Sequence, residues 1–279
     1  MLEARYRDVT VSGARLRVMD TGSGSPVVLL HGLFMDHLTW SHITPELSED
    51  FRVIAPDLPG FGESEKPPPS RFSYNFDAFA DCIAGLYAGL GVGRAALVGH
   101  GLGGAVAIAV AARHAELVSR LVLINPAAFT TSGDYSRRLA SVPLVGGLLF
   151  KQLFGRTSFR SYFREKLTHQ ASLDPARVDH YYDCFNTPAA RGSALATLRA
   201  TQDTRGIIAD TARVQVPSLV VWGRHDPLCP SGFGQKLSRT LHGAGFELMD
   251  SGHSPQEERP KELSRVLARF LRAERPSLY

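Results

Sequence analysis

Residues Leu97-Val98-Gly99-His100-Gly101-Leu102-Gly103-Gly104 constrain this chain more than any other stretch. An apolar run over 94–98 feeds a glycine-dense turn, and a small-residue helical pattern over 105–114 leaves it. The stretch has the frame G-x-S-x-G, a sharp strand-to-helix turn that lifts one side chain at its apex. Glycine stands where the serine of that frame belongs, so Gly101 presents no side chain there. A strand that passes directly into a helix calls for a sheet with helices packed on its faces.

The rest of the chain repeats that demand. Residues 6–11 and 14–20 alternate around Ser12-Gly13, as a hairpin does. Continuous apolar runs at 26–30, 51–55, 95–98, 121–124, 218–222 and 246–249 read as strands buried on both faces. Helical patterns lie between them at 38–48, 76–90, 103–114, 232–241 and 261–272. The expected fold is therefore α/β, with a mostly parallel eight-stranded sheet covered by helices on both faces.

The alternation stops between about 127 and 214, where helical periodicity continues without a convincing strand. That span is too long for a loop of a compact domain. It predicts an inserted helical lid, residues 127–214, over a core made of 1–126 and 215–279. The most apolar part of the insert, 142–150, lines a substrate passage, dips into lipid or packs on the core.

Composition narrows the functional classes. The chain has 279 residues, 44% hydrophobic and 21% charged, which fits one large domain or a core with an insertion. Net charge is +4, with basic residues gathered at Arg137, Arg138, Lys151, Arg156, Arg160, Arg164 and Lys166. Such a run attracts an acidic substrate or a membrane surface, or is a solvated helical face. No nucleic-acid motif accompanies it, so no nucleic-acid partner is expected. Cys82, Cys184 and Cys229 are odd in number and lack metal-ligand spacing, which points to reduced thiols, a cytoplasmic setting and no metal. The first residues alternate in a strand pattern instead of forming an apolar signal core. His100 and its glycines interrupt the apolar window 95–112, so no stable membrane insertion is expected. Gly99, Gly101 and Gly104 touch the spacing of a dinucleotide fingerprint, but no acid at the next strand end supports that reading.

Three further segments end strands as the glycine turn does. Val220-Val221-Trp222-Gly223-Arg224-His225-Asp226-Pro227 puts Asp226 just past one strand, and Asp250-Ser251-Gly252-His253-Ser254-Pro255 puts His253 just past the next. Leu29-Leu30-His31-Gly32-Leu33 ends an earlier strand in a glycine turn. In an open parallel sheet, loops at the carboxyl ends gather along one edge and form the site. Asp226, His253, Leu33 and Gly101 are therefore expected to converge.

With those segments in this order, and with Asp57-Leu58-Pro59-Gly60-Phe61-Gly62-Glu63-Ser64 after another strand, nearly the whole chain resembles the α/β-hydrolase superfamily. The likeness is to its lid-bearing branch of esterases, carbon–carbon-bond hydrolases, epoxide hydrolases and dehalogenases. It implies His253 as general base, Asp226 as the carboxylate that orients it, and the Leu33 and Leu102 amides as an oxyanion hole. Leu102-Gly103-Gly104 resembles the serine-type turn more than the aspartate-type one. His31 is expected to shape its turn, and Glu258 to brace the last helix. The candidate substrate-contacting residues are Phe34 and His100 near the turn and Leu144 and Leu148 in the insert. No cofactor is implied, the partner is a small-molecule substrate, and oligomeric state is left open.

Gly101 departs from the family pattern, because it supplies neither hydroxyl nor carboxylate. Four accounts remain. The chain is an inactivated ester or carbon–carbon hydrolase; or His253 activates water directly on a small, largely apolar ester or carbonyl compound. Alternatively the His–Asp pair moves protons without hydrolysis, as in a lyase, isomerase or cyclase; or the chain is a ligand-binding protein on an enzyme scaffold. A buried charged pair costs free energy to desolvate and has no evident use in a pure binder.

Overall fold

The computed structural model describes residues 4–129, 155–169, 173–241 and 243–273. Strands β1 (Arg5–Val11) and β2 (Ala14–Thr21) form the expected hairpin. Its two turn residues, Ser12 and Gly13, both have positive φ, the geometry that matches the natural twist of two strands. β3 (Ser25–Leu30), β4 (Phe51–Pro56), β5 (Ala95–His100), β6 (Val118–Ile124), β7 (Ser218–Gly223) and β8 (Gly245–Met249) complete an eight-stranded sheet in the order β1-β2-β4-β3-β5-β6-β7-β8. β2 pairs antiparallel with β1 and β4, and the remaining neighbours are parallel.

The helices are α1 (Thr44–Leu47), α2 (Phe76–Gly89), α3 (Leu102–Arg113), α4 (Arg156–Tyr162), α5 (Pro175–Phe185), α6 (Pro188–Ala200), α7 (Arg205–Thr211), α8 (Ser231–Thr240), α9 (Pro255–Glu258) and α10 (Pro260–Arg272). Successive strand residues point to opposite faces, and the apolar runs use both. Val28, Leu30, Leu97, Leu121 and Val220 join the core beneath α2, α3 and α8. Val27, Leu29, Val98, Val122 and Val221 join a second core beneath α1 and α10. This is why the strands read as continuous rather than alternating.

One expected helix is broken. Instead of a helix over 38–48, the chain makes a 3₁₀ turn at His37–Trp40 and then the short α1. Pro45 has no N–H for the carbonyl four residues back, and its ring clashes with it. The Thr44 hydroxyl donates to the Trp40 carbonyl across the break, at 2.9 Å.

Between β6 and β7 the described residues are helical and contain no strand. Asp174 and Thr187 cap α5 and α6, each followed by a proline in the first turn, where a missing N–H costs nothing. Phe34 from the core packs edge-on against Phe159, Tyr162 and Phe185 of this connection. Arg156 and Arg160 pair with Asp179, and Arg156 also with Asp183, so these two members of the basic run are answered locally. Leu144 and Leu148 lie outside the described residues, as does the apolar stretch 142–150. Among the described residues no helix is long and apolar enough to cross a membrane.

Candidate active site

The chain runs from β3 outward to β4, then returns to β5 on the other side of β3. Ligands of open parallel sheets bind where the strand order reverses like this. Gly101 follows β5 and Leu33 follows β3, so the two straddle the reversal.

The glycines of the turn are not equivalent. A Cβ at Gly99 would lie 2.3 Å from the Gly103 carbonyl oxygen, and one at Gly103 would lie 2.4 Å from that of Leu30. One at Gly104 would meet Pro126 Cβ at 2.7 Å. These three let the strand, the helix and the β6 end close on one another. At Gly101 a Cβ would have only ordinary contacts, 3.5 Å from Gly32 Cα and 3.5 Å from His253 Nε2. Its backbone, however, has φ 54° and ψ −116°, a region that side chains make costly. Gly101 therefore relaxes a strained apex while leaving room beside the imidazole.

His253 and Asp226 meet across 27 positions of sequence. His253 Nδ1–H donates to Asp226 Oδ2 at 2.9 Å, which leaves Nε2 facing the turn. Asp226 is fully enclosed, with four donors on its two oxygens. Oδ1 accepts the Leu228 and Cys229 amides at 2.8 and 3.1 Å. Oδ2 also accepts Asn125 Nδ2–H at 2.7 Å. Burial pushes this carboxyl up, but the His253 ring, Asn125 and Leu228 together hold it below its ordinary value.

Asn125 was not among the sequence candidates. It follows β6 with φ 42°, a left-handed conformation that asparagine tolerates better than most residues. Its Oδ1 accepts the Gly223 amide at 3.2 Å, so one side chain joins the ends of β6 and β7 and orients the carboxylate. The available signal was an asparagine before Pro126 at a strand end, which reads equally well as a turn.

His100 is buried beside the pair, its ring centroid 5.0 Å from that of His253. Its Nε2–H donates to the His253 carbonyl at 2.9 Å. Burial, then the neighbouring His253, lowers its pKa to about 3, so the ring is neutral. His31 does build its turn: it accepts the Leu58 amide on Nε2 and donates from Nδ1 to the Gly32 carbonyl. Asp57 is likewise a turn builder, accepting from the His37 amide, His37 Nδ1 and the Glu63 amide. Glu258 accepts the Gly252 amide on Oε1 at 2.8 Å and the His169 amide on Oε2 at 2.7 Å. It thereby fixes the loop that carries His253.

A cavity opens over Gly101, bounded by Leu33, Leu102, Phe129, Leu228, His100 and His253. Tyr162, Thr201 and Cys229 add hydroxyl and thiol groups, and no Lys, Arg, Asp or Glu is among its described walls. Leu102 opens α3, where backbone N–H groups have no intrahelical acceptor. Among the described residues neither the Leu102 nor the Leu33 amide donates to another protein group. Phe34 is not on this wall. Its ring lies in the aromatic packing around Phe159 and Phe185.

A mostly parallel sheet with a histidine–carboxylate pair and a glycine turn at its carboxyl edge is the layout of a large class of hydrolytic enzymes. The chain belongs to the alpha/beta hydrolase fold family, whose model matches residues 25–260. It is 30% identical to 2-hydroxymuconate semialdehyde hydrolase of Pseudomonas sp. (strain CF600), over 95% of this chain and 93% of that one. It is 27% identical to epoxide hydrolase 3 of Xenopus tropicalis, over 94% and 76%. Among solved structures it resembles a thermophilic esterase from Thermogutta terrifontis, with TM-score 0.80 and 27% identity over 96% and 98% of the two chains.

Proposed function

We propose that this chain is a hydrolase in which His253 activates water directly, without a side-chain nucleophile, against a small, largely apolar ester or other carbonyl substrate. The observation that carries this reading is the relation of His253 to Gly101. Nε2 lies 3.5 Å from the point where a side chain would begin, while Nδ1 is held by Asp226. Similarity to a semialdehyde hydrolase and an esterase supports the reaction class. The mainly apolar cavity walls, with no Lys, Arg, Asp or Glu among the described residues, support the substrate class.

Water beside Gly101 gives a proton to His253 Nε2 as its oxygen adds to the carbonyl carbon. Asp226 stabilises the resulting imidazolium. The carbonyl π electrons move onto oxygen, where the Leu33 and Leu102 amides receive the negative charge. Collapse expels the alcohol, which takes the proton back from Nε2. Residues 127–214 act as a cap that keeps bulk water out. General-base assistance contributes about 10²–10⁴ and the remaining site a comparable factor, so reactive esters turn over fastest.

The test compares the native chain with His253→Gln on p-nitrophenyl and enol esters. Expected is turnover without a pre-steady-state burst, reduced about a hundredfold or more in the variant. A burst of one equivalent, or an unchanged rate in a folded variant, overturns the proposal. His253-dependent proton exchange of a carbon acid without ester turnover would assign the pair to non-hydrolytic chemistry.

A further inference from the structure

A second cluster of reactive side chains lies between the β3 loop and α5, outside the cavity over Gly101. Asp36 Oδ2 accepts His180 Nε2–H at 2.9 Å, and Cys184 Sγ lies 3.6 Å from the same nitrogen. The three donor atoms all lie within 4.8 Å of one another. His180 and Cys184 are four residues apart on α5, so they share one helix face. Asp36 is buried, while His180 and Cys184 are part-exposed and reachable from solvent.

We propose that Asp36, His180 and Cys184 bind one divalent transition-metal ion of the zinc class, clamping α5 to the loop after β3. The donor set is one thiolate, one imidazole and one carboxylate, which suits a borderline-soft cation. A tetrahedral ion with sulfur at about 2.3 Å and nitrogen at about 2.0 Å spans an edge of about 3.6 Å. That is the Sγ to Nε2 separation present. The Asp36–His180 contact lengthens slightly to admit the ion, and the solvent-facing position is left for water.

The adjoining group of Asp36, His37 and Asp57 is a different case. All three are buried, and the Asp57 oxygens are already committed to the His37 amide, His37 Nδ1 and the Glu63 amide. The part-exposed donors are on the α5 side.

Because Asp36 is three residues from Leu33, the ion would fasten α5 to the loop that carries one amide of the candidate site. Cobalt(II) titration of the intact chain tests this. Expected is one equivalent bound at micromolar affinity or tighter, with sulfur-to-cobalt charge-transfer absorption in the near ultraviolet. Cys184→Ser abolishes the band, His180→Gln and Asp36→Asn weaken binding at least tenfold, and Cys229→Ser leaves the band intact. Zinc raises the melting temperature of the native chain but not of Cys184→Ser. A native chain without the band overturns the proposal whatever the variants do, as does a band that survives Cys184→Ser.

Discussion

The side-chain amide of Asn125 and the ring of His253 share a single oxygen of Asp226, at 2.7 and 2.9 Å. Two donors from different strand ends therefore hold that oxygen in place. Asn125→Ala removes one of them and leaves the Gly223 amide without its acceptor. We expect stability to fall by about 1–3 kcal/mol and kcat to fall more than KM rises, since the loss acts through imidazole orientation. Denaturant titration and steady-state kinetics check both; unchanged kcat would show that the Leu228 and Cys229 amides hold Asp226 in position without Asn125.

Gly101→Ser places a hydroxyl on a carbon 3.5 Å from His253 Nε2, within hydrogen-bond reach. Turnover of activated short-chain esters should rise at least tenfold, with a burst and covalent labelling of residue 101 by a fluorophosphonate. A folded variant that is neither labelled nor faster would mean that the amides and the imidazole are not aligned for acyl transfer.

The neighbouring glycines should respond differently. Gly101→Ala meets no clash and carries only the strain of its backbone, about 1–3 kcal/mol. Gly103→Ala drives a carbon to 2.4 Å from the Leu30 carbonyl and 2.6 Å from that of His31, both fixed backbone. Expression level and urea midpoint should separate the pair, with the alanine at 101 folded and that at 103 not. Equal midpoints would contradict the packing described for the turn.

Acid should weaken the fold through His100. Its pKa is lowered from 6.5 to about 3, so between those values the unfolded chain binds one more proton than the folded chain. Stability is complete above the upper value and falls as pH drops, by about 1.4 kcal/mol per pH unit for one proton. Asp226, held below its ordinary value of 3.8, begins to add its own loss as pH falls past that value, within the lower end of the same window. His100→Gln, which keeps a donor for the His253 carbonyl, should flatten the slope of unfolding free energy between about pH 6 and pH 4. A slope identical to that of the native chain would place the titration elsewhere.

Much of this architecture is legible in the sequence because burial on both faces leaves unbroken apolar runs. Asp226 and His253 stand out since each ends such a run. What fails to show has a physical reason in each case. Asn125 acts through a partner 101 positions away, and its local setting is that of an ordinary turn. The broken helix near Trp40 turns on Pro45, whose neighbours still carry a helical apolar pattern. Phe34, a candidate substrate contact, packs among Phe159, Tyr162 and Phe185, a setting that only the folded helical connection creates. The Asp36, His180 and Cys184 cluster escapes spacing rules because only chain folding brings the β3 loop to α5.

Glu258 has one last implication. Its two oxygens hold Gly252, next to His253, and His169, which lies between α4 and α5 in the helical connection. Shifting either strand of that grip alone would leave a buried negative charge half solvated. The loop bearing His253 and the segment at residue 169 are thus tied through one carboxylate, so a displacement of either is felt by the other.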